Sequence, residues 1–391
     1  MIKHLSIRLT TLFVLLYINA CNTNQHNNNS NSSKLISVPI NFDENVDQIE
    51  LSEIVDSIYY IPLKTSDVDL MADISKILDY NNQYFISDTE NNLFCFNEHG
   101  DFIYKIYRQG KGPGEYLRLR DFTIDKEKQA VVISDDVSWK YYKIDNGEFI
   151  EEKSAPTPAY KMEYLDKGKY LLDASFNTNA KLAKAGELYS IILADSEAKI
   201  KDSYLPFDAS INSEVNMYFK LNQFMKYNRE VIVNRMLSDT VYTFSENGLQ
   251  SKYFIDYGDK TLPKDILDPD KLQKYKEKIG NYAIVSEVIE TDKHLILYSL
   301  YEKSPVISLY NKTNLSVKNC AIGELPPFKN DIDSVPISPF VATTNANHLV
   351  SVIYPSDVID AAKISTSSQL QNFASTLTEN GNPILAIAIP K

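Results

Sequence analysis

Five histidines, 52 acidic side chains and one glycine-rich loop are the raw material for any reactive site in this chain of 391 residues. The histidines do not gather. His4 and His26 lie in the first 33 residues, and His99, His294 and His348 are far apart, without the paired spacing of metal ligands. There is no Cys-x-x-Cys, and no Gly-x-Ser-x-Gly elbow to present a nucleophilic serine. Gly110-Lys111-Gly112-Pro113-Gly114 is glycine-rich enough to cradle a phosphate. A P-loop, however, needs Gly-Lys-Ser/Thr opening a helix, and here Glu115-Tyr116 follow, then strand-forming sequence from Leu119 to Asp125. The run reads first as an abrupt connection. Around it, Arg108, Arg118, Arg120 and Glu115 form a candidate ligand rim. Guanidinium forks would grip a carboxylate or a sulfated sugar, unless local acids such as Glu115 and Asp121 already occupy them.

Asp88, Asp135 and Asp136 follow apolar runs at matching places, and Asp88 and Asp136 complete the candidate rim. Carboxylates converging on a channel can bind Ca²⁺, which takes about 6–8 oxygen ligands. An aspartate just after a strand also accepts hydrogen bonds from its own turn. Recurrence favours the turn, because a structural unit repeats where a site need not. Ca²⁺ is the one cofactor for which the sequence leaves room, and no catalytic constellation stands out.

The N-terminus predicts export. Lys3 and Arg8 precede an apolar run from Leu9 to Ile18 that is too short to span a bilayer, which needs roughly 20 residues. Ala20 and then Cys21 follow. Ile18-Asn19-Ala20-Cys21 resembles the lipobox of bacterial lipoproteins, which implies cleavage before Cys21 and lipidation of its thiol. Residues 22–33 are almost wholly Asn, Ser, Thr, Gln and His, so residues 21–49 are expected to act as a lipidated polar tether. Acyl chains anchor by about 0.8 kcal/mol per buried CH₂. Loss of the leader takes the net charge from −12 to −14. Phosphate backbones are bound by clustered Lys and Arg, and no basic run exists, so nucleic acid is not an expected partner. Cys95 and Cys320 sit in apolar segments and are expected to be buried free thiols.

The elements that must position these residues repeat. Ile86-Ser87-Asp88 recurs as Ile133-Ser134-Asp135, 47 residues on. Gly100 recurs as Gly147 and Phe102 as Phe149 at the same interval, each pair marking a polar hairpin between apolar strands. Leu193–Ala198, Phe244–Leu249 and Leu309–Leu315 are weaker copies. Runs such as Ala130–Ile133, Tyr189–Leu193, Glu230–Val233 and His294–Tyr298, with 26 Tyr and 17 Phe in the chain, supply the strands. A period of about 45–50 residues holding four short strands is a propeller blade. Residues 50–391 are therefore read as an all-β, six-bladed β-propeller. Its sixth blade combines His348–Ile353 and Pro383–Ile389 with Ile58–Leu63 from the N-terminus, which closes the ring. Two helical insertions are predicted. One has Asp268 as N-cap, Pro269 at its first position and Gly280 beyond its end; the other carries Leu370, Phe373 and Leu377 behind Ser367.

Three stretches resemble a known family: Ile54–Lys64, Gly110-Lys111-Gly112-Pro113-Gly114-Glu115-Tyr116, and Asn382–Leu385. They are similar to the six-bladed β-propeller lipoproteins of unknown function found in Gram-negative gut anaerobes, and more distantly to NHL-repeat propellers. The resemblance implies a propeller exposed in the periplasm or at the cell surface and supplies no catalytic residues. Asp56-Ser57-Ile58, Asp239-Thr240-Val241 and Asp333-Ser334-Val335 look like the O-glycosylation sites of such bacteria. The leading expectation is a monomeric cell-envelope lipoprotein whose propeller binds a glycan, peptide or protein without catalysis. The alternative is a propeller enzyme, a metal-assisted hydrolase or polysaccharide lyase, with its site at the channel mouth.

Overall fold

The computed structural model describes residues 35–391 apart from 44, 65–69, 136, 177–186, 212–223 and 324. From residue 33 onward the chain is one compact unit. Six antiparallel sheets follow one another along it, and each has four strands running outward from a common axis. Blade 1 is Ile74–Tyr80, Gln83–Asp88, Leu93–Asn97 and Phe102–Ile106. Blade 2 is Asp121–Asp125, Ala130–Ser134, Ser138–Lys143 and Phe149–Ser154. Blade 3 is Lys161–Tyr164, Lys169–Asp173, Glu187–Asp195 and Ile200–Asp208. Blade 4 is Phe224–Tyr227, Glu230–Asn234, Thr240–Ser245 and Gly248–Asp256. Blade 5 is Ile284–Glu290, His294–Tyr301, Ser304–Asn311 and Val317–Ala321. The chain is a six-bladed β-propeller.

Blade 6 closes the ring as expected. Phe340–Thr343, Leu349–Ile353 and Ile384–Pro390 come from the C-terminal region, and the outermost strand, Val55–Pro62, comes from the N-terminal side. Ile384 lies opposite Pro62, Leu385 opposite Ile61 and Ile387 opposite Tyr59. Second and third strands such as Gln83–Asp88, Leu93–Asn97 and Ala130–Ser134 are buried on both sides, which explains the wholly apolar runs, whereas the outer strand Phe149–Ser154 is not. Phe94 packs with Ile61 and Leu385 of blade 6, while its neighbour Cys95 packs with Phe122 and Val131 of blade 2. Leu172 faces Trp139 of blade 2, and Leu171 faces Val231 of blade 4. Cys95 and Cys320 are buried and free, and burial pushes the Cys95 thiol up to about 12.

The hairpins between third and fourth strands occupy equivalent places. Gly100, Gly147, Ala198, Gly248 and Leu315 all have positive φ, between 54° and 84°. Left-handed backbone suits glycine best, so its absence at Ala198 and Leu315 made those two copies of the repeat weaker in the sequence. At Gly100 a further demand appears: an added Cβ would lie 2.2 Å from the carbonyl oxygen of Pro62 in blade 6.

Two boundaries differ from the sequence reading. Residues 36–50 do not belong to a free tether. Ile36–Pro39 adds a parallel strand to the outer edge of blade 4, with Ile36 opposite Tyr253. Asn45 then bridges Asn319 of blade 5, and Ile49 pairs with Phe328. This strap covers two sheet edges that would otherwise invite pairing; its short, polar-interrupted strand gave no pattern to detect. Second, the blade 6 insertion holds two helices. The expected α3 (Ser368–Ala374) is capped by Ser367, whose Oγ accepts from Leu370 N. Ahead of it lies α2 (Pro355–Ile364), whose apolar stripe is short. The insertion between blades 4 and 5 is α1 (Pro269–Glu277), with Asp268 accepting from Asp270 N.

Candidate functional site

Strand direction alternates within every blade, so the connections sort onto two faces. One face carries the turns from first to second and from third to fourth strand, and none of these exceeds five residues. The other carries the second-to-third and inter-blade connections, including 107–120, 257–283, 322–339 and 354–383. Binding residues on scaffolds of this kind concentrate in the longer loops. The loop face also carries most of the exposed large apolar side chains. Val137 is 72%, Leu117 59%, Tyr107 53% and Tyr160 41% exposed around blades 1–3, and Tyr354 and Ile364 project from the helical insertion of blade 6. The Arg120 guanidinium sits 5.3 Å from the centre of the Tyr160 ring.

The glycine-rich connection is a locked hairpin. Gly112 N donates to Glu115 Oε2 at 2.7 Å, and a Cβ on Gly110 would lie 2.0 Å from that oxygen. Tyr116 is buried and its hydroxyl donates to Asn91 O at 2.8 Å, while Tyr142 Oη donates to Gly114 O at 2.8 Å. The Glu115 carboxylate thus folds back onto its own loop. That loop brings Arg108, Arg118 and Arg120 to one face, the first two exposed and Arg120 half-buried. Asp88 lies on the same face, but its carboxylate accepts from Glu90 N, Asn92 N and Asn92 Nδ2. Asp135, its counterpart in blade 2, accepts from Val137 N, Ser138 N and Lys140 Nζ. Both are turn acceptors. Asp136 lies outside the described residues. Among the described residues no group of three His, Cys, Asp or Glu side chains is placed to hold a metal ion.

First strands of neighbouring blades line the axis, and their charges pair across it. Lys76 Nζ lies 3.0 Å from Asp121 Oδ2 and also donates to Phe122 O and Met162 O. Lys226 pairs with the buried Glu163. The cavity these strands enclose is only about 40 Å³, room for a few waters. Charged pairs from different blades thus occupy part of the axis. These pairs leave no local pattern in the chain, because each joins residues from different blades.

At the loop-face ends of the second strands, polar groups are buried with incomplete partners. Burial raises the Asp173 carboxyl to about 7 against the bond it accepts from Ser175 N and the charges of Lys161 and Arg235. Burial likewise raises Asp239 to about 7, although Leu262 N donates to it. Arg235 is pulled down to about 10 by burial; its Nη2 donates to Pro206 O, but its Nε has no partner among the described residues. Both amide atoms of Asn234 are buried and find no partner among the described residues. Sequence periodicity marked these residues only as strand ends. Of the three glycosylation-like sequences, Ser57 and Ser334 are exposed, while the buried Asp239 accepts from Leu262 N in the connection between blades 4 and 5 and the buried Asp333 accepts from Val335 N in its own loop.

A family model described as a domain of unknown function, DUF4934, matches residues 35–388. Among solved structures, a candidate exported protein from Bacteroides fragilis superposes with a TM-score of 0.71 at 22% identity, covering 91% of this chain and 99% of that one. The Neurospora crassa Pan2 WD40 domain gives a TM-score of 0.41 at 9% identity, covering 81% of this chain and 76% of that domain. No curated protein matches the chain.

Proposed function

The chain belongs to the DUF4934 family of domains of unknown function, and from that premise we propose that it is a lipid-anchored binding and scaffold propeller of the cell envelope. Cys21 carries the anchor, and the loop face engages a glycan, peptide or protein partner. The observation that carries the reading is the concentration of Tyr107, Leu117, Val137 and Tyr160, beside Arg108, Arg118 and Arg120, on the face with the long connections. Tyrosine and arginine are the side chains that most often dominate binding energy at interfaces. An exposed apolar cluster rimmed by charge on a soluble domain marks an interaction surface. The exported neighbour and the basic-apolar-Ala20-Cys21 leader support the address.

The test is site-specific photo-crosslinking in intact cells. A crosslinker at Leu117 or Tyr160 should give discrete adducts, and one at Ile103 or Ile150, exposed on outer strands, should give none. Cys21→Ala should move the protein out of the membrane fraction and weaken the adducts. Equal labelling at all four positions would refute a dedicated face.

A further inference from the structure

The turn face is built of short hairpins, and a seam opens between two of its blades. Between the outermost strand of blade 6 and blade 1 lies a cleft of about 290 Å³. This is the lower end of the roughly 300–1,000 Å³ range of small-molecule sites. Tyr59 forms one wall from the closing strand and is 42% exposed. Tyr84, Asn82 and Gln83 form the other from blade 1, with Asp79 and Glu98 also lining the cleft. Tyr59 and Tyr84 line the cleft from its two sides, one from the closing strand and one from blade 1. Asn345 N donates to Asp79 Oδ1 at 2.8 Å, and its side chain reaches Asp79 O. Asp79 is the exception among the carboxylates of this face: burial raises it, whereas lysine partners hold Asp101 and Glu148 low.

We propose that this seam cleft is a binding site for a neutral saccharide unit, independent of the loop face. The chemistry matches group for group. A pyranose presents an apolar C–H face and a rim of hydroxyls. Tyr59 offers a half-exposed ring on which the C–H face can rest. Asp79 and Glu98 accept from hydroxyls, and the Asn82 and Gln83 amides both donate and accept. The volume suits one sugar ring and excludes a folded peptide. A divalent cation fits poorly, because the two carboxylates do not converge with a third ligand. Ring closure makes the site possible: it is the one place where a wall comes from Val55–Pro62, which belongs to no other hairpin.

Saturation-transfer NMR on the mature chain tests this, with the methyl glycosides of glucose, galactose and mannose as probes and glucosamine as a cationic control. At least one glycoside should show transfer, strongest on its ring C–H protons. Tyr59→Ala should weaken it about tenfold, the worth of one aromatic contact. Tyr59→Phe should weaken it much less, and Ile150→Ala on blade 2 should leave it unchanged. Gln83→Ala, outside the Tyr59–Tyr84 pair, gives a second reading should Tyr59→Ala disturb the seam, and it too should reduce transfer. Silence from all three glycosides, binding of glucosamine alone, or transfer that survives both Tyr59→Ala and Gln83→Ala would overturn the proposal.

Discussion

The two faces of the propeller are ends of the same strands, yet they treat their polar groups in opposite ways. On the turn face the first polar residue after a strand closes its own hairpin. Asn97 Oδ1 accepts from His99 N and Asp101 N, Asp125 Oδ1 from Glu127 N and Lys128 N, and Asp195 Oδ1 from Glu197 N and Lys199 N. Acids there are held low by hydrogen bonds, Glu148 to Lys143 and Asp195 to the Lys199 amide. On the loop face Asp88 and Asp135 follow the same rule, but blades 3 and 4 break it. There Asp173 and Asp239 are raised to about 7, and Asn234 and the Nε of Arg235 find no bond. The turn face is finished mostly by local chemistry, with the raised Asp79 and the buried, unbonded Nδ1 of His294 as exceptions among the described residues. The other keeps polar groups in reserve, the usual mark of a surface shaped by something besides stability.

The comparison can be broken most sharply at glycine. Gly100→Ala on the turn face must adopt φ +77° and place a Cβ 2.2 Å from the Pro62 carbonyl, so backbone at the seam between blades 6 and 1 has to move. Left-handed strain and the clash together should cost about 3 kcal/mol or more. Gly323→Ala, on the loop face, meets nothing within 4 Å and should be close to neutral. Denaturant titration of both variants checks this. Equal midpoints would mean that the turn face tolerates change as readily as the loop face.

What the sequence disclosed follows the same division. The ring, its closure through Ile58–Leu63 and the Gly100 and Gly147 hairpins were legible because local rules made them: alternating burial, a fixed period and turn glycines. The loop-face cluster was not. Asp173 and Arg235 lie in different blades, and their proximity depends on how blade 3 stacks on blade 4. The seam cleft was hidden for the same reason, since Tyr59 and Tyr84 meet only when the ring closes. Glu115 shows the local side of the same division: it stands beside three arginines in the sequence, and its carboxylate accepts from the Gly112 amide three residues away.

A second, smaller effect separates the faces by pH. Asp173 is raised from an ordinary carboxyl value of 3.8 to about 7 in the folded chain, so the folded state holds its proton more tightly than the unfolded state does. That contribution is complete below about pH 4 and is lost as pH rises through about 7. Between pH 5 and pH 8 the protein should lose on the order of 2–3 kcal/mol from this group, a fall of several degrees in Tm. Asp173→Asn keeps the acceptor for Ser175 N and should flatten that part of the profile. A variant whose Tm still falls as steeply would remove Asp173 from the account.

The smallest effect discriminates most finely, because its sign differs between the faces. Asn97→Leu removes the acceptor for two backbone amides and a bond from Nδ2 to Asp101 Oδ2, and should destabilise by about 1–2 kcal/mol. Asn234→Leu removes two polar atoms that are buried without partners, so it loses no hydrogen bond and relieves their desolvation. Exchanging an unbonded amide for an apolar group of nearly the same shape should stabilise by about 1 kcal/mol. Chemical denaturation reads both changes directly. If Asn234→Leu destabilises as Asn97→Leu does, the amide has a partner in solution and the loop face is closed by the same local rule as the turn face. If it stabilises while loop-face crosslinking falls, Asn234 is kept for binding at the expense of the fold.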